Sequence, residues 1–352
     1  MFALRSSLSY SLGLAKCCQS RTFSVGTAPM VSVNLKGRSF LTLKVYNSVA
    51  IKQILWPTAD MTHRIRHRGE QLPLLQGKSI AMVFEKRSSG TRMSTGTGYT
   101  LLDGHPCLQT PQEILRWVSQ CNTGMACGLS GWANIVSAGV HNQSPLERRD
   151  METSLQLITG LSDRYRATQI CVELLSHQEN CASLNGRTTT WIGGGYNELH
   201  SFKLSLVKLG ANLNVASPQG YEPEAVVTEE AQGHAVQYDP RLQVVADAEE
   251  PAWEYSALLT DPWGNMGHEV EKNKRLSGLC GYLIPIQTGS AAQTDWTLLH
   301  WLPRQPEDVG DAVLCSQLSL CFGEAKSLKW RILALKVCCL TEYRPQVSTR
   351  KL

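Results

Sequence analysis

The chain has 352 residues, of which 42% are hydrophobic, so it holds enough apolar material for two α/β domains with separate cores. Its formal net charge of +4 is small for this length, and no run of Lys and Arg is dense enough to follow a phosphate backbone, which argues against nucleic-acid binding. No segment approaches the continuous apolar run of a transmembrane helix, so we expect no membrane insertion.

The N-terminal segment has the composition of a targeting peptide. Residues 1–32 contain Arg5, Lys16 and Arg21 and several serines, and the first carboxylate of the chain is Asp60. A basic, Ser-rich start without acidic residues is typical of a mitochondrial transit peptide, and a secretory signal would need an uninterrupted apolar core. We therefore predict a transit peptide over residues 1–32 and a location in the mitochondrial matrix. The alternative is an N-terminus that is simply disordered.

Residues 48–65 carry apolar side chains at helical spacing, with Pro57 in their middle. An interior proline lacks a backbone N–H and costs about 3 kcal/mol in a helix. We therefore predict a helix that kinks or splits at Pro57.

A polar loop over residues 85–92 follows the apolar run 79–84, which is typical of a buried parallel strand. A segment that can be helical comes next, from Thr97 to Leu102. A strand, a Ser/Thr/Gly-rich turn and a helix N-terminus place backbone N–H groups and a positive dipole end where an oxyanion can bind. The loop thus predicts an anion site, and the alternative is an ordinary helix N-cap.

The same alternation of strand and helix recurs along the chain. It predicts an α/β fold with two doubly wound parallel sheets, whose ligands bind beyond the carboxyl ends of the strands. Further strands are predicted at 134–141, 155–160, 188–193, 212–216, 242–246, 257–260 and 297–300, and a helix at 197–209 closed by Gly210. Glu198 stands where the spacing of a dinucleotide-binding turn needs glycine, so 193–195 predicts a tight turn and no nicotinamide or flavin site.

Twelve cysteines include two adjacent pairs but no C-x-x-C pair with metal-ligand spacing, so we expect buried thiols and no metal site.

Several motifs stand in an order that one family shares. Together they resemble the carbamoyltransferases, above all the ornithine-specific enzymes of vertebrate mitochondria, over residues 34–343. The motifs that carry the resemblance are LPLLQGKS at 72–79, the loop at 85–92, GHPC at 104–107, GLSD at 160–163, HWLPR at 300–304 and KW at 329–330.

The resemblance implies transfer of the carbamoyl group from carbamoyl phosphate to the δ-amino group of ornithine, giving citrulline and phosphate. It implies no metal, no cofactor and no covalent enzyme intermediate, and active sites at the subunit contacts of a homotrimer. It also implies a carbamoyl-phosphate-binding domain over residues 33–165 plus the C-terminal helix 330–352, and an ornithine-binding domain over 166–329.

The carbamoyl phosphate side departs from the family pattern in its cations. Gly90 and Gly139 stand where the resemblance implies arginines, and Arg166 replaces the carbonyl-facing histidine of the H-P-x-Q element. Arg166 can restore part of the positive charge, but it cannot reproduce a forked clamp from two other positions. The implied carbamoyl phosphate residues are Ser88, Ser89, Gly90, Thr91, Arg92, Gly139, Arg166 and Gln169.

The ornithine side keeps more of the family pattern. The implied ornithine-binding residues are Asn197, Asp261, Asn265 (for serine), Met266 and Leu328 (for an arginine that helps close the site). The implied catalytic residues are His300 and Trp301, which stands for the cysteine beside the reactive amine. Five of these residues have a structural alternative. Asn197 can cap a helix, Asp261 can start a turn, His300 and Met266 can pack in a core, and Trp301 can fill apolar space.

Because one lost oxyanion donor costs about 3 kcal/mol, two lost guanidinium groups imply about four decades in rate. We therefore predict an enzyme of weak activity. The alternatives are a non-catalytic member of the same family and, from Asn265 and Trp301, transfer to a different amine.

Overall fold

The structure is a computed structural model, which describes residues 34–85, 88–109, 123–152, 156–181, 183–245, 255–262, 277–279, 282 and 296–346. Its helices are α1 Ser48–Arg68, α2 Ser89–Leu101, α3 Thr123–Trp132, α4 Ser144–Glu152, α5 Ala167–Cys181, α6 Asn197–Leu206, α7 Ala225–Tyr238, α8 Asp311–Leu314 and α9 Cys321–Leu340. Among these residues no helix is long and apolar enough to span a bilayer.

Two parallel sheets organise the chain, as predicted. The first has the strand order β2-β1-β3-β4, with β1 Ser79–Phe84, β2 His105–Leu108, β3 Ile135–Gly139 and β4 Gln156–Leu161. The second has the order β7-β6-β5-β8-β9, with β5 Thr188–Ile192, β6 Asn212–Ala216, β7 Leu242–Val245, β8 Ala257–Thr260 and β9 Thr297–His300. The fold is therefore α/β, and every predicted strand is confirmed to within two residues.

The strand order places a topological switch point in each sheet, where ligands of such folds bind. In the first sheet the connections leave β1 in opposite directions, so the switch lies between β1 and β3. In the second sheet it lies between β5 and β8. The polar residues that follow β1, β3, β5 and β8 are therefore the candidate ligand-binding residues.

Two local predictions need correction. Helix α1 runs unbroken from Ser48 to Arg68 with Pro57 inside it, so the predicted split is wrong. Its apolar face, including Ile51 and Leu55, is buried in the core, and packing against α9 holds the helix together despite the lost N–H. Helix α2 begins at Ser89, earlier than the predicted Thr97, so the anion loop is itself the first turn of the helix.

The C-terminal helix connects the two halves of the chain. Helix α9 follows the second sheet in sequence but packs against α1, α2 and α5 on the first-sheet side. One cluster of buried apolar residues includes Ile80 and Ile158 of the first sheet, Trp191 and Leu259 of the second, and Leu333 of α9. The strands that carry the candidate site are thus anchored in a shared core.

Candidate functional site

The candidate residues lie at the carboxyl ends of the strands that flank the two switch points. Ser88 follows β1, and Gly139 ends the neighbouring β3, paired in register with Phe84. In the second sheet, 193–195 follows β5, and Asp261 follows β8 directly. Because β5 and β8 are adjacent and parallel, these ends meet at one edge of the sheet.

The predicted anion loop forms the N-terminus of α2. Ser88 Oγ lies 2.9 Å from Thr91 Oγ1, and the Ser88 carbonyl accepts a hydrogen bond from the Arg92 N–H at 3.0 Å. Ser89 and Gly90 are the first two residues of the helix, where backbone N–H groups have no partner within the helix. The structure therefore places Ser88, Ser89, Thr91 and Arg92 at the N-terminus of α2, where backbone N–H groups and the helix dipole favour an anion.

Gly90 lies beside Leu328, and this pairing joins two of the altered positions. A Cβ atom at Gly90 would lie 3.9 Å from Leu328 Cδ2, and no other atom outside the helix's own backbone is nearer among the described residues. Gly90 is exposed, and Leu328 of α9 is half-buried. The family resemblance implies arginines at positions 90 and 328. In this chain position 90 has no side chain and position 328 carries an apolar one, so neither supplies a guanidinium group.

Gly139 is enclosed by the ring of Phe84. A Cβ atom at Gly139 would lie 2.4 Å from Phe84 Cδ1, which is closer than real Cβ atoms approach. A Cβ atom at Gly160 on β4 would lie 3.2 Å from Phe84 Cε1. The aromatic ring therefore occupies the space that a longer side chain at position 139 would need.

Arg166 forms an ion pair with the second-sheet side. Its Nη1 lies 2.5 Å from Glu198 Oε1, and its backbone N–H donates to Ser201 Oγ at 2.8 Å. The Arg166 side chain is 25% exposed, whereas the Glu198 side chain is 2% exposed. The guanidinium that can restore positive charge is thus already paired with a buried carboxylate of α6.

Asn197 opens helix α6 with both of its side-chain polar atoms engaged. Its Nδ2 donates to the Ser162 carbonyl, and its Oδ1 accepts from the Glu198 N–H at 3.1 Å. It is buried, and it connects β4's end to the start of α6. In this state the amide holds the two sides of the cleft together.

Asp261 is a buried carboxyl at the second switch point. Burial, and then the charges of Glu198 and Asp308, raise the pKa of Asp261 well above its usual value. Among the described residues, its Oδ1 has no hydrogen-bond partner. Gly193 has a φ of 147°, which residues with a side chain rarely adopt. It lies against Asp261, since a Cβ atom at position 193 would be 3.0 Å from Asp261 Oδ1.

His300 ends β9 and is buried with an acidic partner. His300 Nε2 lies 3.4 Å from Asp308 Oδ2, with neither side chain exposed. The same carboxylate accepts from the Gln305 N–H at 2.9 Å. The arrangement fixes the turn after β9, which carries Trp301.

Trp301 is inserted into the core between the two sides of the cleft. Its ring lies 5.6 Å, centroid to centroid, from that of Trp191 on β5, and its Nε1 donates to Glu173 Oε1 on α5. The residue is 8% exposed. The indole fills apolar space and binds a buried carboxyl.

Gln169 belongs to the same buried cluster. Its Nε2 donates to Glu324 Oε1 of α9 at 3.1 Å. Burial raises the pKa of Glu324 to about 7, and burial together with Glu324 raises the pKa of Glu173 well above its usual value. The side chain of Gln169 therefore projects from α5 toward α9 and interacts with the carboxyl groups of Glu173 and Glu324.

Sequence reasoning missed three acidic residues. Glu173 and Glu324 belong to no motif; the signal for Glu173 was its position four residues after Gln169, on the same helix face. Glu198 was noted only as a residue that breaks a glycine motif. Asn265 and Met266 lie outside the described residues.

Comparisons with known proteins cover nearly the whole chain. The family model "Aspartate/ornithine carbamoyltransferase, carbamoyl-P binding domain" matches residues 38–179, and "Aspartate/ornithine carbamoyltransferase, Asp/Orn binding domain" matches residues 185–338. The mitochondrial ornithine transcarbamylase of Gallus gallus is 43% identical over 328 residues, 93% of each chain. The mitochondrial ornithine carbamoyltransferase of Aquarana catesbeiana is 45% identical over 313 residues, 89% of each. The solved ornithine carbamoyltransferase of Pyrococcus furiosus superposes with a TM-score of 0.82 at 27% identity, covering 89% of this chain and 100% of that one.

Proposed function

Because the chain belongs to the aspartate/ornithine carbamoyltransferase family, we propose that it transfers the carbamoyl group of carbamoyl phosphate to the δ-amino group of ornithine, at a low rate. The observation that carries the proposal is the match of both domain models in sequence order, with identity above 40% to two proteins named for this reaction. The products are citrulline and phosphate.

The first-sheet side supplies the phosphate site. The N–H groups at the start of α2, the hydroxyls of Ser88, Ser89 and Thr91 and the charge of Arg92 bind the phosphate oxygens. The neutral amine then attacks the carbamoyl carbon and forms the C–N bond, and negative charge develops on the carbonyl oxygen. The C–O bond to phosphate breaks, and the departing phosphate takes up the proton that the amine loses. Donors fixed before the reaction stabilise this charge without reorganisation.

We expect the low rate because this chain lacks arginines at the three positions where the family resemblance implies them. Gly90, Leu328 and Gly139 provide no side-chain donor, and Arg166 is held by Glu198. At about 3 kcal/mol for each missing oxyanion donor, the loss at Gly90 and Gly139 amounts to about four decades. Asp261 remains to bind an ammonium group of the acceptor.

The larger organisation is part of the same proposal. Residues 33–165 with 330–352 form the carbamoyl-phosphate-binding domain, 166–329 form the ornithine-binding domain, and the protein assembles as a homotrimer. The acid-free segment 1–32 and the mitochondrial names of the two vertebrate relatives support a mitochondrial location, which we assign to the matrix.

A citrulline assay tests the proposal. Purified protein is incubated with carbamoyl phosphate and ornithine at high enzyme concentration, beside Arg92→Gln, which removes the remaining guanidinium of the loop. We expect slow citrulline formation, reduced at least tenfold by the substitution.

The second candidate is a non-catalytic family member, and the ring of Phe84 in the space beside Gly139 favours it. Folded protein that forms no citrulline would contradict the first proposal and support this one. Tight binding of a bisubstrate analogue, seen as a rise in melting temperature, would count against it.

A further inference from the structure

Two acidic side chains reach the same edge of the second sheet. Glu198 is the second residue of α6, just after β5, and Asp261 follows the neighbouring strand β8. Both residues are almost wholly buried, at 2% and 1% exposure. Glu198 Oε2 and Asp261 Oδ1 each have no hydrogen-bond partner in the described part of the chain. A buried carboxylate oxygen without a donor is costly, so each oxygen is suited to a ligand that donates.

The charges around this edge favour a cationic ligand. Arg166 pairs with one oxygen of Glu198. Burial, and then the charges of Glu198 and Asp308, raise the pKa of Asp261, and the charge of Arg166 acts in the opposite direction and lowers it. Asp308 lies 3.4 Å from His300 Nε2. Three carboxyl groups and one guanidinium therefore interact in this region. The Arg166 side chain is a quarter exposed, so the ion pair can be approached from solvent.

The same geometry disfavours a carboxylate. The amide of Asn197, the residue that the family resemblance assigns to the acceptor's backbone groups, already binds the Ser162 carbonyl and the Glu198 N–H. An α-carboxylate placed there would find an amide that is already engaged, at the residue preceding the acidic Glu198. Like charges repel, and they do so more strongly in a buried site.

We infer that Glu198 and Asp261 form a two-carboxylate subsite for an ammonium group, and that the acceptor site prefers aliphatic diamines to amino acids with an α-carboxylate. The inference rests on the proposed carbamoyl transfer and changes its preferred acceptor from ornithine to a diamine. Glu198 is then a specificity-determining residue.

Equilibrium binding of three probes to the full-length protein tests this. The probes are 1,4-diaminobutane, L-ornithine, which is the same molecule with an α-carboxylate, and inorganic phosphate. We expect the diamine to bind about ten times more tightly than ornithine. Glu198→Gln should weaken diamine binding at least tenfold and leave phosphate binding equal or tighter, because it releases Arg166. The matched control is Glu229→Gln on the exposed face of α7, which should change neither.

Arg166→Gln should change diamine binding in the opposite direction to Glu198→Gln, and it replaces that variant in the test if Glu198→Gln does not fold. Arg166→Gln frees both oxygens of Glu198, so diamine binding should tighten, and it leaves no guanidinium to be released, so phosphate binding should not tighten. The inference is overturned if ornithine binds the unmodified protein as tightly as the diamine, or if neither substitution changes diamine binding.

A parallel assay for carbamoylated product separates this inference from the proposed function. Diamine binding without any carbamoylated product would overturn the proposed transfer and leave the subsite intact. Citrulline formation without diamine binding would overturn the subsite and leave the transfer intact.

Discussion

The two sides of the cleft differ in where their charge lies. On the first-sheet side, Gly90 faces Leu328, and the ring of Phe84 fills the space beside Gly139. On the second-sheet side, the carboxyl groups of Glu198 and Asp261 are buried, and Arg166 is paired with Glu198. The anion side keeps its hydroxyls and Arg92 but lacks a side-chain cation at positions 90 and 139, and the amine side is rich in carboxyls. Both sides stand on the same intact sheets, so the fold depends on the shared core and tolerates opposite changes at its strand ends.

The largest expected effect comes from Trp301, at the border between the two sides. Trp301→Cys removes a large buried ring and the N–H that binds Glu173, so we expect the free energy of unfolding to fall by about 3–5 kcal/mol. Chemical denaturation measures this. The matched control is Trp132→Cys, because Trp132 is 76% exposed and should cost little. Equal costs at the two positions would contradict the placement of Trp301 in the core.

Gly139→Arg should have the second-largest effect on stability, because the ring of Phe84 fills the space beside this position. The Cβ contact with Phe84 at 2.4 Å predicts a loss of about 1–3 kcal/mol from overpacking. A double-mutant cycle with Phe84→Ala checks the cause: the cost of Gly139→Arg should shrink when the ring is absent. An unchanged cost would show that Phe84 is not the obstacle.

Gly90→Arg should sharpen the comparison without cost to the fold. The position is exposed and the nearest atom to a new Cβ is 3.9 Å away, so the side chain fits and can bind phosphate oxygens. We expect inorganic phosphate to bind about ten times more tightly, measured by calorimetry. Gly90→Ala is the control, which adds a side chain without charge. If both variants bind phosphate equally, the missing guanidinium is not what weakens the anion side.

The smallest effect concerns pH. Glu324 has its pKa raised to about 7 by burial, so between pH 4.5 and 7 the folded protein holds a proton that the unfolded chain has released. Stability should therefore fall as pH rises through this window, by about 1 kcal/mol per pH unit at its steepest. Glu324→Gln should flatten this dependence in denaturation at several pH values, and exposed Glu307→Gln should not. A slope unchanged in Glu324→Gln would contradict the buried, protonated state.

The sequence predicted the sheets because their strands are short apolar runs bounded by turn residues. It missed β2, since His105–Leu108 is an edge strand with little burial and contains Pro106. It also predicted a kink or a split at Pro57, and the split does not occur because α1 packs against α9. In each case the deciding contact comes from a distant part of the chain.

The sequence predicted where the candidate site residues lie in the fold, but it did not predict which side chains contact each other. Strand ends and motif order placed Ser88, Gly139 and Asp261 at the switch points. The partners of Arg166 and Trp301, namely Glu198 and Glu173, could not be read from any spacing, because each pair joins two separate helices or a helix and a strand end. The ring of Phe84 beside Gly139 likewise depends on the register of β1 and β3.

The path of α9 bears on when the protein can fold during synthesis. Its buried Lys336 donates to Thr95 of α2, and its apolar face closes the core over α1, α2 and α5. A ribosome makes this helix after the strands of both sheets, so the first sheet stays uncovered until residue 340 has been translated. A premature stop codon before residue 321 would therefore leave both halves exposed to chaperones and proteases, including the half whose own strands were already made.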